Sequence, residues 1–397
     1  MHPGPRCSRW ADGEVPALAS LYVHIPFCER KCLYCDFYSV AATERVEDFL
    51  AALRREISLR TDFRDWAVFE TIFFGGGTPS LLTPGQVERI LSHLHAAFRI
   101  TPEAEVTLEA NPGTVTDEKL RSFRSLGINR LSIGIQSFHD RELQALGRIH
   151  DRAEALRCFD EGRAAGFDNI SIDLIYSSPG QTLAGWEDDL RIATDLAPQH
   201  IAAYSLILEE GTPLARLVEA GTIRMNSADR EAEMYEQAME LLDAHGYEHY
   251  EVSNYALPGF RCRHNGNYWS HENYLGFGSS AHSFWKERGG TSGRRWWNAA
   301  DLSTYVNRLK NGALPVESEE QIGPTEMVHE RIFLGLRSSG VDLARLRQDF
   351  GYDLETFQGD MVQRLLSEGM VLLEGDFLRL TSKGYLLCDE ICGKLLL

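Results

Sequence analysis

The chain has 397 residues, 43% hydrophobic and 25% charged, with a formal net charge of −18 at pH 7. That length supports two or three domains with cores of their own, in a composition ordinary for a soluble globular protein. The negative balance argues against general affinity for nucleic acid phosphate, and no run of about 18 apolar residues offers a membrane-spanning helix.

The first 18 residues carry Pro, Gly and charge without the apolar core of a signal peptide. They read as a disordered leader, which gives a cytoplasmic location whose reducing conditions suit free thiolates. Residues 21–25 read as a strand, and directly after it stand Cys28, Cys32 and Cys35 in LYVHIPFCERKCLYCDFYSV, spaced Cys-x3-Cys-x2-Cys. Three thiolates on one short loop can each bind one iron of a cubane cluster. Such clusters normally take four Cys, so three leave one iron open to a substrate or cofactor. Structural zinc asks for four protein ligands, usually two close Cys pairs, and no second pair lies at that spacing. A disulfide framework belongs to short secreted chains with an even Cys count.

Strand-like runs recur at 69–74, 105–109, 130–135, 169–175 and 200–206, separated by helical periodicity at 46–59, 86–97, 117–126, 153–165 and 185–196. Six strands alternating with helices predict a parallel sheet with right-handed crossovers. The number fits an α/β partial (βα)6 barrel over residues 19–210. Polar and glycine-rich segments follow the strand ends: the cysteine loop, Gly75-Gly76-Gly77-Thr78-Pro79, Glu109-Ala110-Asn111-Pro112 and Gln136-Ser137. Asp173 and Tyr204 lie late in the fifth and sixth strands. In barrels that face carries the chemistry. The glycine run frees the backbone to approach a ligand and could receive a charged group on exposed N–H donors; it is equally a tight strand-to-helix turn. Glu109 or Asp173 could accept hydrogen bonds from ribose hydroxyls, and Arg148 could pair a carboxylate through its planar fork. Singly, each also reads as an ordinary cap or surface ion pair. Asp173 stands apart, because a carboxylate inside the apolar run ISIDLIY is costly without a partner.

After Glu210 the pattern changes. Residues 211–320 form an extension with a helix at 229–245, a short strand near Tyr250 and a Gly/Asn/aromatic segment over 253–285. Within it, residues 261–269 (RCRHNGNYW) combine a thiol, an imidazole, an amide and two aromatics. An imidazole or thiolate can ligate haem iron and aromatics can stack on a macrocycle, with His271 and His282 as alternative ligands. On chemistry alone the segment reads first as a satisfied loop whose aromatics fill core. Residues 321–397 read as a small domain with helices at 325–336, 343–350 and 356–368, then an apolar hairpin at 370–380 turning at Glu374-Gly375-Asp376. That is a winged-helix pattern. Such a wing often reads DNA, but this module is not basic, so a structural or docking role is expected. Cys388 and Cys392 share one face of a predicted helix and read as buried apolar residues before a two-thiol metal or redox site. Cys7 and Cys158 have no partner signature.

The cysteine motif with YVHIPFC, GGGTP, LEANPGT, SIGIQSF and IDLIY, in that order, resembles the radical S-adenosylmethionine superfamily. It is most similar to the branch containing oxygen-independent coproporphyrinogen dehydrogenase, from about residue 20 to the C-terminus. The resemblance implies a radical SAM-type partial barrel followed by an α+β C-terminal region with a winged-helix-like domain. It implies a 4Fe–4S cluster on Cys28, Cys32 and Cys35, with S-adenosylmethionine chelating the open iron. Tyr22, Gly76, Gly77, Thr78, Glu109, Gln136, Arg148 and Asp173 match positions that contact S-adenosylmethionine in the dehydrogenase, and Tyr34 matches an aromatic of the cluster loop. The dehydrogenase holds two such cofactor molecules, so not every position need be used here. One departure is Tyr176-Ser177-Ser178-Pro179-Gly180, where the family usually has YGLPGQ.

Two features separate roles within the branch. The dehydrogenase carries a fourth cysteine where this chain has Phe37. The segment His264-Asn265-Gly266-Asn267-Tyr268-Trp269 matches HNxxYW, the signature of the branch's haem chaperones. The resemblance therefore implies binding of haem at the His264 region (His264, Asn265, Tyr268 and Trp269). It also implies delivery to apo-haemoproteins such as respiratory cytochromes, membrane-bound ones included, with cluster and S-adenosylmethionine regulating assembly or transfer. A homodimer is a family-level expectation. The alternative is the dehydrogenase itself, in which a reduced cluster cleaves S-adenosylmethionine to a radical that attacks coproporphyrinogen propionates; that activity is not expected. Haem-cleaving methyltransferase relatives are a third, weaker option.

Overall fold

The computed structural model describes residues 17–287 and 289–396. Most of the expected leader, residues 1–16, and Cys7 with it, lie outside them; Ala17 and Leu18 already belong to the first strand. Strands β1 (Ala17–Ile25), β2 (Ala67–Gly76), β3 (Ile100–Ala110), β4 (Arg130–Gln136), β5 (Ile170–Tyr176) and β6 (His200–Ser205) lie side by side in that order, all parallel. Between them run α1 (Val46–Leu59), α2 (Pro84–Ala97), α3 (Asp117–Ser125), α4 (Asp140–Leu146), α5 (Arg152–Ala164) and α6 (Leu183–Asp195). The six expected strands and five expected helices are present; α4 is an addition.

The alternation along the strands places the core. Leu21, Val23 and Ile25, Leu131, Ile133 and Ile135, and Ile170, Ile172 and Leu174 are fully buried in the main core. Each such side chain contributes about 1.5–3 kcal/mol. The alternate positions point to the barrel interior and are polar: Tyr22, Thr71, Glu109, Arg130, Ser132 and Asp173. Local signals agree with the helices. Thr83 and Gln86 close a capping box on α2 with Pro84 in its first turn, and Asp151 and Glu154 do the same on α5.

The extension is built into the same sheet. Its elements are α7 (Pro213–Glu219), α8 (Ala228–Ala244), β7 (Glu248–Glu251), β8 (Asn254–Ala256), α9 (Arg263–Trp269), β9 (Asn273–Phe277), β10 (His282–Lys286), β11 (Gly293–Asn298), α10 (Leu302–Lys310) and β12 (Val316–Ile322). β8 and β7 add antiparallel beyond β6, while β9 joins β1 in parallel and β10, β11 and β12 continue outward. The result is a 12-stranded sheet, β12-β11-β10-β9-β1-β2-β3-β4-β5-β6-β8-β7.

The C-terminal part comprises α11 (Pro324–Leu336), β13 (Val341–Asp342), α12 (Leu343–Phe350), α13 (Leu354–Ser367), β14 (Val371–Glu374), β15 (Phe377–Leu380), α14 (Ser382–Tyr385) and α15 (Cys388–Leu395). It has its own three-stranded sheet, β13-β15-β14, and its own core of Ile332, Leu336, Leu346, Leu378 and Ile391 among others, with Cys388 and Cys392 buried in it. Tyr385 packs against this core and the main one. Among the described residues no helix is long and apolar enough to cross a membrane.

Candidate cofactor site and the HNxxYW helix

The loop after β1 is closed at its neck. Cys28 N–H donates to Val40 O (3.1 Å) and Val40 N–H to Pro26 O (2.7 Å). Its far end is held by other elements, through Leu33 N–H to Leu146 O (3.1 Å), Leu214 N–H to Leu33 O (3.0 Å) and Arg30 Nη2 to Gly147 O (2.6 Å). Gly147 ends α4 in the left-handed region at φ +78°, and a Cβ there would lie 2.8 Å from Leu33 Cγ. Cys28, Cys32 and Cys35 are half-buried free thiols. Thr78 Oγ1 donates to Cys28 Sγ (3.4 Å) and Arg148 Nη1 to Cys32 Sγ (3.6 Å), contacts that resemble the outer support of metal ligands. Among the described residues no three His, Cys, Asp or Glu side chains converge on a single-ion site. In a cubane each thiolate takes a different iron, so its three sulfurs need not converge on one ion.

The loop forms one wall of a cleft of about 490 Å³ at the C-terminal ends of the strands. Tyr34, Gly76, Gly77, Thr78, Glu109, Gln136, Arg148 and Asp173 all line it. Tyr22 does not; it lies deeper, against Phe73 (centroids 6.3 Å apart) and with its hydroxyl on His24 Nδ1 (3.1 Å). The glycine run differs from its expected role as a set of free N–H donors. Gly76 N–H is bonded to Glu109 Oε2 (3.2 Å), Gly77 N–H to Ile25 O and Thr78 N–H to Phe27 O (both 2.8 Å). What it offers the cleft is backbone without side chains; a Cβ on Gly77 would lie 2.7 Å from Phe27 O.

Burial and then the neighbouring Asp173 push the Glu109 carboxyl up to about 8. Burial pushes Asp173 up to about 6, against the pull of Arg130 and hydrogen bonds from Ser132 and Ser171. Acidic groups (Glu29, Asp36, Glu109, Asp173 and Glu209) outnumber Arg30, Lys31 and Arg148 around the cleft. That balance, with buried carboxyls facing inward, fits the cationic sulfonium and the ribose hydroxyls of S-adenosylmethionine. Gln136 ends β4 at φ +73°, a strained conformation for a non-glycine residue that aims it at the cleft. Asn111 is the residue the sequence reading missed. Its Oδ1 accepts from Arg148 Nη2 (2.6 Å) and its Nδ2 donates to Thr78 Oγ1 (3.1 Å), tying the two sulfur donors together. It lies inside LEANPGT, where an amide in a turn does not reveal a bridge. The departure at residue 177 is also resolved: Ser177 sits at φ +60°, where the family's glycine is the unstrained choice. Phe37, in place of a fourth cysteine, is 69% exposed on the rim with Ile149 and Ile207.

The HNxxYW segment is elsewhere, and it is a helix. α9 closes the opposite end of the barrel, its first N–H groups (Arg263, 3.2 Å; His264, 3.1 Å) held by the Glu105 carboxylate of β3. Asn267 Nδ2 donates to Ser20 Oγ of β1 (2.7 Å). His264, expected in the haem-binding region, is enclosed within the fold. The ring is 1% exposed, with Nδ1 on Thr71 Oγ1 (2.7 Å) and Nε2 on Tyr268 Oη (2.9 Å), and it stacks on Phe73 at 5.0 Å. Burial, helped by Arg130, pushes its pKa down to about 3 and keeps it neutral. Tyr268 is spent on that bond and on an edge contact with Tyr274 (4.6 Å), and Asn265 is half-buried in the same helix. Cys262 is equally enclosed, its thiol pushed up to about 12 by burial. Trp269 alone of the four lines an open groove, toward the C-terminal part.

Residues 22–193 match the radical SAM superfamily and residues 322–387 the HemN C-terminal domain. The chain is 34% identical over 382 residues to the protein named Heme chaperone HemW of Bacillus subtilis, covering 96% of this chain and 99% of that one. It is 36% identical over 404 residues to the protein of the same name of Mycobacterium tuberculosis H37Rv, covering 98% and 99%. The solved structure of Escherichia coli coproporphyrinogen III oxidase (HemN), described as a radical SAM enzyme, is similar with a TM-score of 0.82 at 22% identity, over 96% of this chain and 90% of that one; this is a shared fold. Family models thus cover the barrel and the C-terminal part, relatives match along nearly their full length, and the chain belongs to the HemW family of the radical SAM superfamily.

Proposed function

We propose that the protein is a haem chaperone that binds haem and delivers it to apo-haemoproteins, respiratory cytochromes among them, from the cytoplasm. The observation that carries this reading is sequence similarity along the whole chain to proteins that bear the chaperone name. The rim supports it: an exposed Phe37 stands where the dehydrogenase branch has its fourth cysteine. Cys28, Cys32 and Cys35 would hold the 4Fe–4S cluster. Gly76, Gly77, Thr78, Glu109, Gln136, Arg148 and Asp173 would surround S-adenosylmethionine, with Tyr34 shielding it. Bound there, the cluster supplies a one-electron centre with one open iron. The chain's own part is electrostatic: Thr78 and Arg148 donate to sulfur, and the carboxyls accept from the ligand.

The test is a haem titration of the anaerobically reconstituted protein, following the Soret band, beside an assay with coproporphyrinogen. One-to-one haem binding without turnover supports chaperone function. Conversion of coproporphyrinogen to protoporphyrinogen with turnover, and no haem binding, overturns it. His264→Ala is expected to keep haem binding within about twofold while losing about 2–3 kcal/mol of stability, because it strips a packed ring and leaves the Thr71 hydroxyl unpaired.

A further inference from the structure

A second opening of about 490 Å³ lies between α9 and the C-terminal part. Its apolar surface comes from Trp269, Val341, Leu346 and Phe377. Its charge is the reverse of the cleft's: Arg261, Arg263, Arg331 and Arg345 line it against a single carboxylate, Asp342. Asp342 is already the N-cap of α12, accepting from Arg345 N–H (2.9 Å). Arg331 and Arg345 share Asp349 (3.1 and 3.3 Å), and the Glu272 carboxylate that also acts on Arg331 is itself paired with Lys286. Arg261 and Arg263 reach Glu248 (3.0 Å) and Glu70 (3.4 Å). In a chain of net charge −18 this is a local cationic concavity with an aromatic wall, suited to a flat apolar dianion.

His271 lines the same groove and carries two anomalies. Its backbone sits at φ +55°, strained for a residue with a side chain. Its ring is buried, yet Nδ1 makes no hydrogen bond. Nε2 lies 2.8 Å from a Glu330 carboxylate oxygen, while Nδ1 has no partner among the described residues. The ring is pinned flat against Phe284 (4.4 Å, 13°). A buried imidazole with one nitrogen on a carboxylate and the other unspent is the arrangement of a metal-ligating histidine with its outer partner. Strain and an orphaned buried nitrogen on one residue are unfavourable at rest, and ligation would relieve the second.

We propose that this groove is where the protein carries its haem, with His271 as iron ligand, Trp269 against the macrocycle, and Arg331 and Arg345 at the propionates. The proposal rests on the haem-chaperone reading and moves its cargo site from His264 to His271. The cleft and the groove then divide their ligands by charge, an acidic wall for a cation and a basic wall for a dianion. The ring is covered at rest, so binding includes a shift of the turn between α9 and β9 or of the C-terminal part.

The experiment is a haem titration of the full cluster-loaded chain, with Soret and visible spectra. The wild type is compared with His271→Ala, His271→Asn (which tolerates the left-handed backbone) and the Arg331→Gln/Arg345→Gln double variant. Both His271 variants are expected to bind at least tenfold more weakly with displaced bands, and free imidazole is expected to restore the bands of His271→Ala. The arginine variant is expected to weaken binding three- to tenfold with bands unmoved. Cluster absorption per chain monitors folding in every variant. If the wild type binds haem and both His271 variants match it in affinity and spectrum, the groove assignment falls while the chaperone reading stands. If the wild type binds no haem, the chaperone reading itself falls.

Discussion

Glu109 and Asp173 face the cleft with their carboxyls held up to about 8 and about 6, against ordinary values of 4.5 and 3.8. The folded protein therefore holds protons that the unfolded chain has released. Stability contributed in this way is complete below about pH 4 and falls as pH rises through the folded values, being lost above about pH 8. Melting temperatures of the cofactor-free protein are expected to fall between about pH 5.5 and about pH 8.5, and Glu109→Gln to flatten that fall and add about 1–3 kcal/mol at the upper end. An unchanged slope in that variant would remove Glu109 as the cause. A cationic ligand stabilises the ionised carboxylates, so S-adenosylmethionine is expected to bind more tightly as pH rises across the same window. Asp173 was legible in the sequence because a carboxylate inside an apolar strand demands an explanation. Asn111 was not, since an amide in a turn motif does not reveal that it bridges Thr78 and Arg148. His264 was legible as special but not as enclosed: a motif names residues without saying which way they face.

At the scale of elements, the barrel's strands and long helices were readable from period and caps; its short helix and, in the extension, α9, α10 and the strands β9 to β12 were not. α4 and α9 have seven residues each, too few for a periodic pattern, and α9 contains Gly266 and two asparagines that read as loop. Both matter for function. α4 presents the Gly147 turn against which Leu33, in the middle of the cysteine loop, is seated. Gly147→Ala would add backbone strain at φ +78° and drive a methyl into Leu33. The expected result is a cost of about 1–3 kcal/mol and iron per chain reduced by about half or more, read from cluster absorption and iron assay. Gly166→Ala is the matched control: its φ is +87°, but nothing lies within 4 Å of the added Cβ. It should lose similar stability and keep its cluster. Equal iron loss in both variants would show that strain alone, rather than the seat of Leu33, controls the loop.

Over the whole molecule, sequence order concealed how the extension is used. Ala19 of β1 pairs with Asn273 of β9, and His200 of β6 with Ala256 of β8, so residues far apart in the chain cover both edges of the barrel. No local pattern encodes such pairings, because register across distant strands is decided by which faces are buried together. The consequence is a barrel with its cofactor cleft at one end and α9 sealing the other. Between them stands a packed column: Tyr22, within reach of the Glu109 charge, against Phe73 (6.3 Å), and Phe73 against His264 (5.0 Å). His264 is fixed by two hydrogen bonds and α9 by the Glu105 carboxylate. Energetic coupling between ends needs an element with two discrete arrangements, and the structure shows this column in one close-packed arrangement. Saturating S-adenosylmethionine is therefore expected to change haem affinity by no more than about twofold, and haem to change S-adenosylmethionine affinity by the same factor, since linkage is reciprocal. Paired titrations on the cluster-loaded protein measure both sides. Regulation by the cofactor would then act at hand-over to the acceptor rather than on the grip on haem. A tenfold or larger shift, equal in both directions, would instead mean that α9 moves with the cleft, and would turn the column from a spacer into the transmitting element.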